Sequence, residues 1–143
     1  MAIYFGTTIN DSPTITLEAG ADIKAAQGKA VVISEGKAVL AEAGANAIGI
    51  IPLSEDEEIK KGATVSVQIK DIGAWVAGAE VKIGDELASD AEGYAVKAVE
   101  GNFIIGTALT AASEKGTIIR AQINKAGYKA AAASGASDTK EGA

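Results

Sequence analysis

The chain has 143 residues and a formal net charge of −6, from 13 Lys and Arg against 19 Asp and Glu. It contains no Cys and no His, which excludes disulfides, thiolate chemistry, Ser-His triads and the usual zinc or copper sites. The apolar share of 48% rests on Ala, Val and Ile, with aromatics at only 4%, so the length and composition suit one domain whose core is small and β-branched.

The chain begins with an apolar and aromatic group, Ile3, Tyr4 and Phe5, followed by Gly6. This opening lacks the charged region and long apolar stretch of a signal peptide, so synthesis and assembly in the cytoplasm are expected. At such an extreme terminus the three side chains serve a core or a partner equally well. The first alternating pattern is Thr14 to Glu18, with Ile15 and Leu17 pointing one way. Together, residues 1–18 read as an N-terminal arm whose contacts are Ile3, Tyr4, Phe5, Ile15 and Leu17. Further strands are expected at 30–33, 37–41 and 47–51. The clearest lies at 63–70, where Val65, Val67 and Ile69 alternate with Thr64, Ser66, Gln68 and Lys70. A strand at 73–77 carries Trp75, the chain's single indole, for which core packing is the default and an interface anchor the alternative. Strands at 94–99, 103–109 and 117–124 complete the series, the last with Ile119, Ala121 and Ile123 inward.

Between the strands lie turn signals such as Glu35-Gly36, Lys61-Gly62, Gly84-Asp85, Glu92-Gly93 and Lys115-Gly116. Short helical turns fit only near 22–27 or 111–114. Residues 125–143 form an Ala/Gly/Ser-rich tail that cannot bury enough apolar area to order itself. The fold class predicted is all-β: a small β-barrel or sandwich domain over 19–124, between the arm and the tail.

An internal repeat supports this reading. Residues 35–49 match the segment that starts 57 residues later, 92–106, at eight of fifteen positions. After a three-residue gap the match continues, Lys61-Gly62 corresponding to Lys115-Gly116. The halves are placed at about 28–70 and 84–124, and are expected to close on each other because neither buries its apolar face alone.

No constellation carries chemistry. Gly28-Lys29 and Gly36-Lys37 lack the remaining elements of a phosphate loop, with Ala30 and Ala38 where a hydroxyl is needed, and read as turns. The run Glu55-Asp56-Glu57-Glu58 lacks the spacing of a calcium loop and reads as a solvated loop or a charged rim. Asp85 and Glu86, with Asp90 and Glu92, sit in a turn without the aromatic cleft of a glycosidase. No catalytic residue, cofactor or metal is expected. The lack of a basic stretch argues against nucleic acid, and no apolar run approaches the roughly 20 residues of a membrane helix.

The series 61–68, Gly84-Asp85-Glu86-Leu87, Gly93-Tyr94-Ala95-Val96 and 101–109, followed by a final alternating strand at 116–123, resembles the bacteriophage capsid decoration, or cement, proteins. The resemblance spans about residues 20–124. It implies a small β-barrel or β-tulip-like fold and a non-enzymatic virion protein that binds the outer surface of the capsid, partners the major capsid protein and itself as a trimer, and bridges capsomers. A phage tail or fibre base, including the base of a head fibre, is a neighbouring possibility. The stretch Val81 to Leu87 also resembles biotinyl and lipoyl carrier domains, but no Lys has the flanking residues of their modified hairpin.

Overall fold

A computed structural model describes residues 12–131. They form ten strands and no helix: β1 (Thr14–Glu18), β2 (Ala30–Ser34), β3 (Lys37–Leu40), β4 (Gly49–Ile50), β5 (Thr64–Gln68), β6 (Asp71–Val76), β7 (Glu86–Ser89), β8 (Ala95–Lys97), β9 (Phe103–Ala108) and β10 (Ile118–Tyr128). All pairs are antiparallel. The first five strands make one sheet in the order β1-β5-β4-β2-β3, and the second five make another in the order β6-β10-β9-β7-β8.

Matching β1–β5 with β6–β10 turns one order into the other, so the repeated segment belongs to a duplicated five-stranded unit. The equivalence reaches single atoms. A Cβ at Gly49 would lie 2.0 Å from the Gln68 carbonyl oxygen, and one at Gly106 would lie 2.3 Å from that of Gln122. Only glycine lets the two backbones approach so closely, which explains the Ile-Gly that ends the matched segment. Non-glycine residues of positive φ also recur at equivalent places, Asp71 at 69° where β6 begins and Lys125 at 39° at the register shift within β10.

The expected closed barrel is not what forms. Each sheet curls until its outer strands meet at one isolated parallel bridge, Ala19 with Ala38 and Ala77 with Ala95, without the continuous ladder that would close it. Nor do the halves bury one shared face. The first unit has its own apolar cluster around Ile23, Val31, Ile51, Val65 and Val67. The second is built around Trp75, Leu87, Ile105 and Ile119, and reaches across to Ala30, Ala41, Ala47 and Ile50 of the first. Curling lets a sheet of small side chains cover itself, so each unit needs its neighbour on one flank only.

That flank is held by backbone bonds. Ala30 N–H donates to Gly93 O at 2.8 Å, Gly44 N–H to Ser89 O at 2.9 Å, Phe103 N–H to Gly44 O at 3.0 Å and Val76 N–H to Gly28 O at 2.9 Å. The Lys29 ammonium of the first unit sits 4.7 Å from the centre of the Tyr94 ring of the second, with Lys115 at 5.0 Å from it.

Several boundaries depart from the sequence reading. Thr14–Glu18, assigned to the arm, is the edge strand of the first sheet and the counterpart of β6. β7 was not anticipated, because three of its four residues are buried and no alternation marks it. Among the described residues neither short helical turn forms. β10 runs on to Tyr128, into the segment assigned to the tail, and a register shift between Ile123 and Gly127 keeps it paired with β9.

This extension occupies the flank of the second unit that corresponds to the flank of the first unit covered by its neighbour. Gly44 N–H reaches Ser89 O, and its counterpart Gly101 N–H reaches Lys129 O at 3.0 Å. Lys129 N–H returns to Asn102 O at 2.7 Å, the Lys129 ammonium pairs with Glu86 at 2.6 Å, and Tyr128 meets Phe103 edge-on with ring centres 5.0 Å apart. Ala88, Ala98 and Ile104 are buried in a small cluster on this second unit.

Candidate functional site

Ile15 and Leu17 are half-buried and pack against the first unit's apolar cluster. Ile3, Tyr4 and Phe5 lie outside the described residues. Trp75 is 0% exposed, and its indole N–H donates to Gly93 O at 2.9 Å. The interface alternative for Trp75 is therefore corrected: with no surface it can only act as core, fastening the carbonyl that also receives Ala30 N–H.

The acidic residues bond within the fold, Asp85 and Asp90 in turns and Glu55 and Glu58 to a strand backbone and a lysine. Glu55 Oε1 accepts Ser66 N–H at 3.1 Å, and Glu58 pairs with Lys60 at 3.0 Å. Asp85 Oδ2 accepts Lys82 N–H at 2.9 Å, and Asp90 Oδ1 accepts Glu92 N–H at 2.8 Å and Tyr94 N–H at 2.9 Å. Among the described residues, no group of three His, Cys, Asp or Glu is arranged to hold a metal ion.

What distinguishes one part of the surface is a contrast between the two units. On each, the first and last strands lie side by side and turn alternate residues outward. In the first unit the outward pairs are Glu18 with Thr64, Thr16 with Ser66 and Thr14 with Gln68. The equivalent pairs in the second are Val76 with Ile118, Ala74 with Arg120 and Ile72 with Gln122. One backbone arrangement thus carries a polar face in one unit and a largely apolar face in the other. Ile72 is 56% exposed and Ile118 is 54% exposed, so these side chains stand in water.

The apolar face is wider than two strands. Leu109 is exposed and its N–H bonds to Arg120 O, which adds it on the β9 side. At the other end Val76 and Leu53 both flank Gly28, so exposed Leu53 carries the strip across the junction into the first unit. A contiguous exposed apolar strip of this kind marks an interaction surface rather than scattered surface residues.

Arg120 stands within this strip and is the only arginine of the sequence. It is exposed, and none of the ion pairs among the described residues uses it. Its backbone N–H is held by the Thr110 hydroxyl at 2.9 Å, which fixes the strand beneath it. Period-two alternation identifies the inward residues of a strand and leaves its outward face unassigned, so the strip does not stand out in the sequence. Its signal was present in Ile118-Ile119, since two adjacent isoleucines on an alternating strand cannot both point inward.

The family model for phage cement protein matches residues 9–123. The chain belongs to this family. A search of curated proteins finds no match. Among solved structures, the cement protein is similar to the crystal structure of the head fibre gp8.5 N base of bacteriophage phi29, with a TM-score of 0.64 and 18% identity over 81% of this chain and 97% of that one. At that identity the likeness concerns the fold. Family membership makes the cement protein a structural component of the virion.

Proposed function

We propose that this cement protein binds the outer surface of the phage capsid and stabilises it by bridging capsomers, without catalysing a reaction. Its partner is the major capsid protein, met after synthesis in the host cytoplasm, and its work is done as a homotrimer on the capsid exterior. The observation that carries the reading is the difference between the two units. The outer face of β6 and β10 presents Ile72, Val76 and Ile118 where the first unit presents Thr14, Glu18 and Thr64. Burying such a strip against a shell releases water from apolar surface, and two curled units packed on one another keep the contact rigid.

The residues preceding β1 form the arm of this assembly, with Ile3, Tyr4 and Phe5 as its contacts on a neighbouring capsomer. Ile15 and Leu17 anchor its root in the first unit. A second reading, the base of a head fibre, is favoured by the fold shared with the phi29 N base and uses the same contact with a shell.

The test is to mix the purified protein with heads that lack it and image the particles. Protein density outside the shell at threefold or quasi-threefold positions is expected. Bare shells at saturating protein would refute the reading. Removing residues 2–12 should weaken capture on the same heads, and unchanged capture would reject the arm.

A further inference from the structure

We infer that Arg120 makes the apolar strip selective, so that its partner is a foreign protein surface offering a carboxylate surrounded by apolar side chains. This rests on the capsid-binding reading and specifies the chemistry of the same face.

Three observations support it. First, Arg120 is the chain's only arginine, among 13 basic residues, and it shares β10 with Ile118, flanked by Ile72 and Val76 of β6 on one side and Leu109, just past β9, on the other. A guanidinium is planar and weakly hydrated, and it binds a carboxylate through two parallel N–H donors, so it tolerates the dry centre of an interface better than an ammonium. Second, it has no carboxylate of its own among the described residues, while Lys37, Lys60, Lys115 and Lys129 all do. Other lysines among the described residues also take no part in an ion pair, but within the outward pairs of β6 and β10 Arg120 is the one charged residue. Third, its counterpart in the first unit is Ser66, in a face without exposed isoleucine or valine. The charge and the apolar strip occur together in one unit and are absent together from the other.

The sign of the charge bears on which surface fits. Two strips meeting across a twofold axis would place Arg120 against Arg120. A carboxylate set in a foreign apolar surface meets the guanidinium with opposite charge. An arginine ringed by apolar side chains has the anatomy of a binding hot spot.

The probe is purified shells lacking the cement protein, with binding measured by co-sedimentation at two salt concentrations for the wild type, Arg120→Lys, Arg120→Ala and Arg120→Glu. The residue is exposed, so thermal melts of the free proteins should coincide. Affinity should fall by about tenfold to a hundredfold for Arg120→Ala. The loss should be roughly a thousandfold for Arg120→Glu, where a carboxylate would face a carboxylate, and Arg120→Lys should lie between wild type and Ala. The salt dependence of the wild type should shrink in Arg120→Ala. Wild-type binding by Arg120→Glu would overturn the inference while leaving capsid binding intact. Loss of a self-assembled oligomer in Arg120→Glu without shells, with shell binding unchanged, would assign the arginine to a second copy and overturn it too. Failure of the wild type to sediment with shells would instead remove the reading on which it rests.

Discussion

The side chains that hold this protein together are few and specific. Trp75 fills the second unit's core and ties down Gly93 O, which also receives a bond from the first unit. Trp75→Ala should therefore destabilise the chain by about 3–5 kcal/mol in a denaturant titration, mainly through the cavity. Trp75→Phe keeps much of the volume but loses the indole donor, and should cost about 1–3 kcal/mol. Equal losses for both would show that the hydrogen bond rather than the packing dominates. Gly49 and Gly106 form a matched pair at the same scale. Their added methyls would strike the Gln68 and Gln122 carbonyl oxygens at 2.0 and 2.3 Å, so Ala at either should cost at least about 3 kcal/mol. Gly36→Ala, with open space around it but a φ of 79°, should cost about 1 kcal/mol. The matched Ile-Gly was legible in the sequence, whereas its cause, a strand crossing a carbonyl, required the fold.

At the scale of elements, period-two alternation located the strands it could. β5 was plain because Val65 and Val67 are buried while Thr64 is exposed and Ser66 is half-exposed. β7 was invisible because Leu87, Ala88 and Ser89 are all buried, two against the cores and Ser89 through a hydroxyl bond to Asp90 O. The end of β10 was hidden for a different reason. Residues 125–128 read as part of a small-residue tail, yet they fill the flank that a neighbouring unit fills in the first half. Ending the chain after Asn124 should strip protection from amides of β9 in hydrogen exchange and lower the melting temperature. Tyr128→Ala should do the same more weakly, by about 0.5–1.5 kcal/mol from the lost edge-on contact with Phe103. Unchanged exchange in β9 after truncation would mean that the extension only rests on the surface. Burial also lowers the Lys125 ammonium from its ordinary value. With the folded pKa below the unfolded one, stability should rise as pH climbs through that alkaline interval, and Lys125→Ala should flatten the rise.

For the whole molecule, duplication supplies its own control. Two units share strand order, bridges and glycine contacts, so a difference between their surfaces is not imposed by the backbone. The all-β class, the repeat and the family resemblance could be read from residue order alone, because glycine turns and alternation are local features. The binding face could not, since it appears only when outward positions of strands distant in sequence are laid side by side. The most direct test transplants the first unit's face onto the second: Ile72→Thr, Val76→Glu, Ile118→Thr and Arg120→Ser, each taking the residue of the equivalent position. Capsid binding through this face requires a folded protein that no longer co-sediments with shells lacking the cement protein. Undiminished binding by this folded variant would contradict it.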